Sequence, residues 1–119
     1  MNTISPKVQN QIAMLQQMQA QLQTIQTQKT QYDMAARETK RAIEELADVP
    51  EDGSVYMNIG TVMMQKKKGD VVTKLQEKVE TLELRGKSLD KQEKMLAEKF
   101  EQLQNQIRQA LEGRPPSAA

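Results

Sequence analysis

The sequence predicts a mainly α protein in which two long antiparallel helices form a coiled coil and a central β-hairpin joins them. A narrow apolar seam with heptad spacing runs through each half of the chain, and the two seams have matched lengths. Between them lies a stretch rich in β-branched residues and Met, with Gly60 at its centre, which is typical of two strands and a tight turn. Aromatic residues make up only 3% of the 119 residues, so a thick core is not expected. Residues 1–119 are assigned to a single domain.

The first helix is predicted over residues 6–47. Ser5 can cap the free backbone N–H groups, and Pro6 suits the first helical position. Pro50 disfavours helix at the preceding residue and therefore ends this segment. The predicted a positions are Val8, Leu15, Leu22, Lys29, Ala36 and Ile43, and the d positions are Gln11, Met18, Ile25, Tyr32, Thr39 and Leu46.

The hairpin is predicted over residues 54–66, after turn-forming residues at 51–54. A lone two-stranded hairpin is marginally stable in water at best, so it needs strands from other subunits. The residues expected to mediate this oligomerisation are Val55, Tyr56, Met57, Ile59, Gly60, Val62, Met63 and Met64. The basic run at residues 66–68 predicts a solvated loop that blunts the strand edges. The alternative for this run is a nucleic-acid contact, although no aromatic residues are interleaved with it.

The second helix is predicted over residues 70–112, with Asp70 as its cap and Gly113 as its stop. Residues 113–119 are expected to form a disordered tail. Antiparallel pairing places Tyr32 opposite Gly86, a large residue against an absent side chain. The predicted d positions are Leu75, Leu82, Leu89, Leu96, Leu103 and Ala110, and the a positions are Val72, Val79, Gly86, Glu93, Phe100 and Ile107.

The composition and charge of the chain argue against several classes of function. Without His or Cys, metal-ligand spacing or a phosphate-binding Gly loop, the chain is not expected to be an enzyme or to hold a metal or cofactor. The net charge of +1 provides no strong field for nucleic acid, and no apolar run approaches the roughly 20 residues that span a membrane. The first residues lack the features of a signal peptide, so a cytoplasmic protein is expected.

Apolar residues also gather near the start of the first helix and the end of the second, here called the tips. Ile12, Met14 and Leu111 lie off the seam, where nothing else in the chain would cover them. Exposed apolar groups on a two-helix coil indicate binding, whereas the alternative is that most tip residues are ordinary seam residues. The candidate binding residues at the tips are Ile4, Val8, Ile12, Met14, Leu15, Met18, Phe100, Leu103, Ile107 and Leu111.

Nearly the whole chain resembles the beta class of the prefoldin family, in its archaeal type. The most specific features are the strand Val55-Tyr56 with Gly60, the run Lys78-Val79-Glu80-Thr81-Leu82-Glu83-Leu84-Arg85, and Lys91-Gln92-Glu93. The chain departs from the family at Gly86, where a helix-favouring residue is expected.

The resemblance implies a heterohexamer of two alpha and four beta subunits, in which the hairpins form an intersubunit β-barrel and the helix pairs project from it. Such complexes are ATP-independent chaperones that hold unfolded client proteins at the tips and deliver them to a group II chaperonin. The alternative function is a structural coiled coil that oligomerises or tethers other proteins without holding clients. Suppression of aggregation of a denatured protein would distinguish the two.

Overall fold

A computed structural model describes residues 4–113 and shows two helices and two strands. Helix α1 spans Pro6–Ala47, strand β1 Val55–Ile59, strand β2 Val62–Lys66, and helix α2 Lys68–Leu111. The predicted fold class, two long helices with a central antiparallel hairpin, is confirmed. The tail predicted after Gly113 lies outside the described residues, and the assignment of the whole chain to a single domain stays a prediction.

Helix α1 begins and ends as its local sequence predicts. The backbone N–H of Val8 donates to the Ser5 hydroxyl oxygen at 3.2 Å, so Ser5 is the cap. After the helix, the N–H groups of Asp48 and Val49 donate to Glu45 and Leu46 carbonyl oxygens at 3.3 and 3.1 Å. These three-residue spacings tighten the last turn just before Pro50 stops the helix.

The heptad seams are buried position by position. Every predicted a and d position of α1 is buried or half-buried, and so is every one of α2 except Ala110. None of the described side chains is completely enclosed, which is the expected result for only two helices. Thr39 is a polar member of the seam, and its hydroxyl donates to the Ala35 carbonyl within the same helix at 2.7 Å.

The described residues form two compact units. The first contains residues up to Gln28 and from Leu89 onward, and the second is Lys29–Ser88. In the first unit the start of α1 packs against the end of α2, because Val8 shares a buried cluster with Leu103 and Ile107. In the second unit Lys40 Nζ lies 2.9 Å from Glu83 Oε1, which again joins the two helices.

The hairpin has a single register and a two-residue turn. Val55 pairs with Lys66, Met57 with Met64, and Ile59 with Val62. Gly60 has a φ of +62°, and neither Thr61 nor any other described non-glycine residue has a positive φ. A Gly at the first of two central positions, followed by a residue with negative φ, is the type II′ turn that matches the twist of paired strands.

The predicted start of α2 is wrong by two residues. The helix begins at Lys68, and the N–H of Val71 donates to the Lys67 carbonyl oxygen at 3.1 Å, so Asp70 is not the cap. Asp70 instead lies in the first turn, where its negative charge interacts favourably with the positive end of the helix dipole.

The proposed packing of Tyr32 into the space beside Gly86 is also wrong. A Cβ atom added at Gly86 would meet nothing within 4 Å, so no large side chain fills the space that the glycine leaves. Both residues are half-buried, so each lies on the seam side of its helix, but no side chain comes within 4 Å of the position that a Gly86 Cβ would take. Gly86 therefore carries the conformational cost of a glycine inside a helix without a packing gain.

We expect Gly86→Ala to stabilise the chain by about 0.5–1 kcal/mol, because alanine restricts the unfolded chain and the new methyl group has room. Urea unfolding followed by circular dichroism measures this difference. Gly60→Ala is the matched control, since its site is equally open but its φ of +62° strains any residue with a Cβ. A loss of stability in Gly86→Ala would contradict the prediction.

Candidate functional site

The hairpin carries the largest group of exposed apolar side chains in one short segment. Tyr56 is 59% exposed and Met63 66% exposed, although both are large apolar residues within a sheet. Chemically, this surface can bury apolar area and pair its two free strand edges with another chain. The hairpin surface is defined by these exposed residues: Tyr56, Ile59, Val62, Met63 and Met64.

Both faces of the hairpin contribute to this surface. Register places Met57, Ile59 and their partners Met64 and Val62 on one face, and Tyr56 and Met63 on the other. At the base of the first face Val55 is buried and Met57 half-buried, so the rest of the chain covers that end. Nothing among residues 4–113 covers the second face or the end near the turn.

The basic run is not the solvated loop that the sequence predicts. Lys66 ends β2, Lys68 begins α2, and only Lys67 lies between them. The side chain of Lys68 is 14% exposed, and its ammonium group donates to the Val49 carbonyl oxygen at 2.6 Å. Sequence reasoning missed this contact because nothing local marks a bond between residues 19 positions apart.

The ten candidate tip residues fall into three groups. Three are exposed, namely Ile4, Met14 and Leu111. Val8, Leu103 and Ile107 are buried in one cluster, and Ile12, Leu15, Met18 and Phe100 are half-buried. The expectation that Ile12 lies uncovered is wrong, because it packs against this cluster. We call the three exposed residues Ile4, Met14 and Leu111 the tip surface.

A shallow groove of mixed apolar and polar lining lies between the helix ends. Its volume is about 420 Å³, and glutamines provide much of its lining. The lining residues are Ser5, Lys7, Val8, Gln11, Gln106, Gln109 and Ala110.

The helices also carry three exposed apolar residues away from the tips. Met34, Leu84 and Met95 are 56%, 61% and 60% exposed. Single apolar residues on a helix surface are common in proteins, and these three provide matched controls for the tip residues.

An ion pair links the two helices. The Lys40 ammonium group donates to Glu83 and holds the pKa of that carboxyl group below its usual range. Both side chains are about half exposed, so the attraction is modest and screened by salt.

We expect this pair to make stability depend on acid pH. Because the folded pKa of Glu83 is depressed, its contribution is present above the unfolded carboxyl pKa of about 4.3 and is lost as pH falls through the folded pKa. Thermal unfolding of the wild type and Glu83→Gln at low salt measures it. The difference between their Tm values should shrink toward zero in acid, and a difference that grows in acid would refute this sign.

Among the described residues, neither helix has a stretch long and apolar enough to cross a membrane.

The fold and its two surfaces define a coiled-coil protein with a central hairpin, most of whose apolar side chains are left uncovered within the chain. Residues 9–114 match the family described as "Prefoldin subunit". The chain belongs to the prefoldin subunit family, a family of chaperone subunits. This confirms the resemblance that the strand and second-helix motifs indicate.

Curated relatives and a solved structure agree with this membership. The chain is 61% identical to "Prefoldin subunit beta" of Methanospirillum hungatei, over 96% of this chain and 95% of the relative. It is 66% identical to "Prefoldin subunit beta" of Methanosphaerula palustris, over the full length of both. The crystal structure of the prefoldin beta subunit from Thermococcus strain KS-1 superposes with a TM-score of 0.83 at 40% identity, covering 98% of this chain and 100% of that one.

Proposed function

We propose that this chain is the beta-type subunit of an ATP-independent chaperone that holds unfolded proteins and delivers them to a group II chaperonin. Its partner is a prefoldin alpha subunit, in a heterohexamer of two alpha and four beta chains located in the cytoplasm. The observation that carries the proposal is the presence of two separate exposed apolar surfaces, one on the hairpin and one at the helix ends. The high identity to prefoldin beta subunits supports it.

The hairpin surface is the proposed assembly element. Five-residue strands with two free edges and apolar groups on both faces are incomplete as a sheet. Joining hairpins edge to edge in a β-barrel satisfies the edge N–H and C=O groups and buries side chains such as Val62 and Met64. Each fully buried side chain of this size contributes roughly 1.5–3 kcal/mol, and the contribution is repeated in every subunit.

The tip surface is the proposed client-binding element. Its three exposed residues are few, so one subunit binds an unfolded chain weakly. Several tips acting together raise the avidity by about 10²–10⁴ when one client reaches them all. Met14 adds a flexible, polarizable contact that suits clients of unrelated sequence. Binding of this kind depends on apolar burial and requires neither nucleotide nor a defined client sequence.

The alternative function is a structural coiled coil that tethers proteins without holding clients. Coiled-coil seams and an assembly hairpin serve both functions equally well. Only the exposed apolar residues at the helix ends favour the chaperone, since a tether does not need them.

Reconstitution with an alpha-type prefoldin subunit tests the proposal. The purified complex should have the mass of two alpha and four beta chains, and it should suppress aggregation of a chemically denatured protein on dilution, equally with and without ATP. Transfer to a group II chaperonin is measured by the recovery of native activity when the chaperonin and ATP are added. A complex of the expected mass that gives no protection would support the tether instead.

A further inference from the structure

A mostly buried lysine lies at the base of the hairpin. Lys68 Nζ donates to the Val49 carbonyl oxygen at 2.6 Å, and it lies 3.9 Å from Glu51 Oε1. The Lys68 side chain is mostly buried, whereas that of Glu51 is 89% exposed. The bond to the carbonyl is therefore the main contact, because an exposed carboxylate at the longer distance is well screened by water.

The position of this carbonyl explains why an ammonium group binds there. Val49 lies two residues beyond the end of α1, close to the C-terminus of that helix, where the helix dipole places partial negative charge. A lysine near a helix C-terminus interacts favourably with this dipole, and here it also donates to a carbonyl just beyond the helix. The charged hydrogen bond offsets the hydration that Lys68 loses on burial.

The loop between α1 and β1 packs against Val49. The Gly53 N–H donates to the Pro50 carbonyl oxygen at 2.9 Å, which closes a turn. A Cβ atom at Gly53 would lie 2.8 Å from Val49 Cγ1, so the loop lies directly on the Val49 side chain. Val49 is thus held from two directions, by this turn and by Lys68.

Together these contacts connect the loop before β1 to the start of α2 at the base of the hairpin. Val55 and Lys66 form the last pair of the sheet. Val49 precedes Val55 and Lys68 follows Lys66, so their hydrogen bond joins the segment that enters the hairpin to the segment that leaves it. A two-stranded hairpin by itself is marginally ordered in water, so a contact that ties its two connections together reduces the disorder that must be removed on association.

We propose that Lys68 is a positioning residue for assembly: by binding the Val49 carbonyl it preorganises the hairpin in the conformation that pairs with neighbouring subunits. This inference rests on the proposed function, in which the hairpin is the assembly element. Lys68 acts through the loop and the strands and need not touch the neighbouring subunit itself.

The test compares Lys68→Met with Lys67→Met, since both remove one ammonium group from the same run but Lys67 is exposed. For Lys68→Met we expect the concentration at which half of the chains assemble with the alpha-type subunit to rise about tenfold, which is the effect of losing one charged hydrogen bond. Amide hydrogen exchange at residues 49–55 of the unassembled chain should accelerate, while helix content by circular dichroism stays unchanged. Lys67→Met should match the wild type, and Lys68→Arg, which keeps a charged donor, should recover most of the assembly.

Each other outcome overturns the inference. Unchanged assembly of Lys68→Met shows that the Lys68–Val49 hydrogen bond is irrelevant to association. A loss of helix content in Lys68→Met shows that Lys68 stabilises the fold in general. Failure of Lys68→Arg to recover assembly shows that packing, not donation, is what matters. If the wild type does not assemble, the proposed function fails and this inference with it, whereas wild-type assembly with an unaffected Lys68→Met rejects this inference alone.

Discussion

Replacing Val62 and Met64 with glutamate is expected to abolish assembly while leaving both helices folded. The two side chains are exposed in the single chain, so the substitutions cost the free subunit little. In an assembled barrel they would bury carboxylates without partners, and roughly 1.5–3 kcal/mol of apolar burial would be lost for each side chain. Because each beta-type chain of the proposed complex carries both changes, the penalty is repeated at several interfaces of the ring. Light scattering should report only species smaller than the hexamer, with normal helix content by circular dichroism.

The matched control places the same charges elsewhere on the exposed apolar surface. Met34→Glu with Leu84→Glu changes two residues of similar exposure, and glutamate is well tolerated inside helices. This variant should keep the mass of the full complex. A hexamer that survives the hairpin substitutions would show that the subunits associate through another surface.

Replacing Ile4, Met14 and Leu111 with glutamine is expected to remove client protection without affecting assembly. All three side chains are exposed, so little packing is lost, and none of them belongs to the buried cluster around Val8. If several tips hold one client, weakening each of them reduces the avidity by a large part of the 10²–10⁴ gain from multivalency. Aggregation of a diluted denatured protein, followed by light scattering in the presence of the complex, measures the loss.

Met34, Leu84 and Met95 provide the control for the tips. Changing these three to glutamine removes the same number of exposed apolar side chains of similar size. Protection should remain, since the proposal assigns client contact to the tips alone. Equal loss of protection in both variants would move client binding to the helix flanks.

Periodicity and local capping chemistry accounted for the main elements of this fold. A seven-residue repeat determines which side of a helix faces its partner, so nearly every seam position could be assigned without any knowledge of the partner residue. The Ser5 cap and the turn at Gly60 depend on neighbouring residues only, and both were predictable for that reason.

The candidate site was only partly predictable, because exposure depends on neighbours that are distant in sequence. Ile12 lies off the heptad seam, yet it is half-buried because the buried cluster that includes Leu103 and Ile107 reaches it. Met34 and Leu84 lie on the outer sides of their helices. A periodicity argument detects an apolar surface only when apolar residues recur at regular spacing, and these two stand alone.

The sequence by itself determined the two helices, the reversal of the chain at the hairpin and the membership of the seams. All three follow from repeats and turns that span a few residues. Tertiary structure decided the rest: the start of α2 at Lys68, the open space beside Gly86, and the bond from Lys68 to Val49. These features depend on how closely two elements approach each other and on which atoms the end of a long side chain reaches. The spacing of residues along the chain determines neither of them.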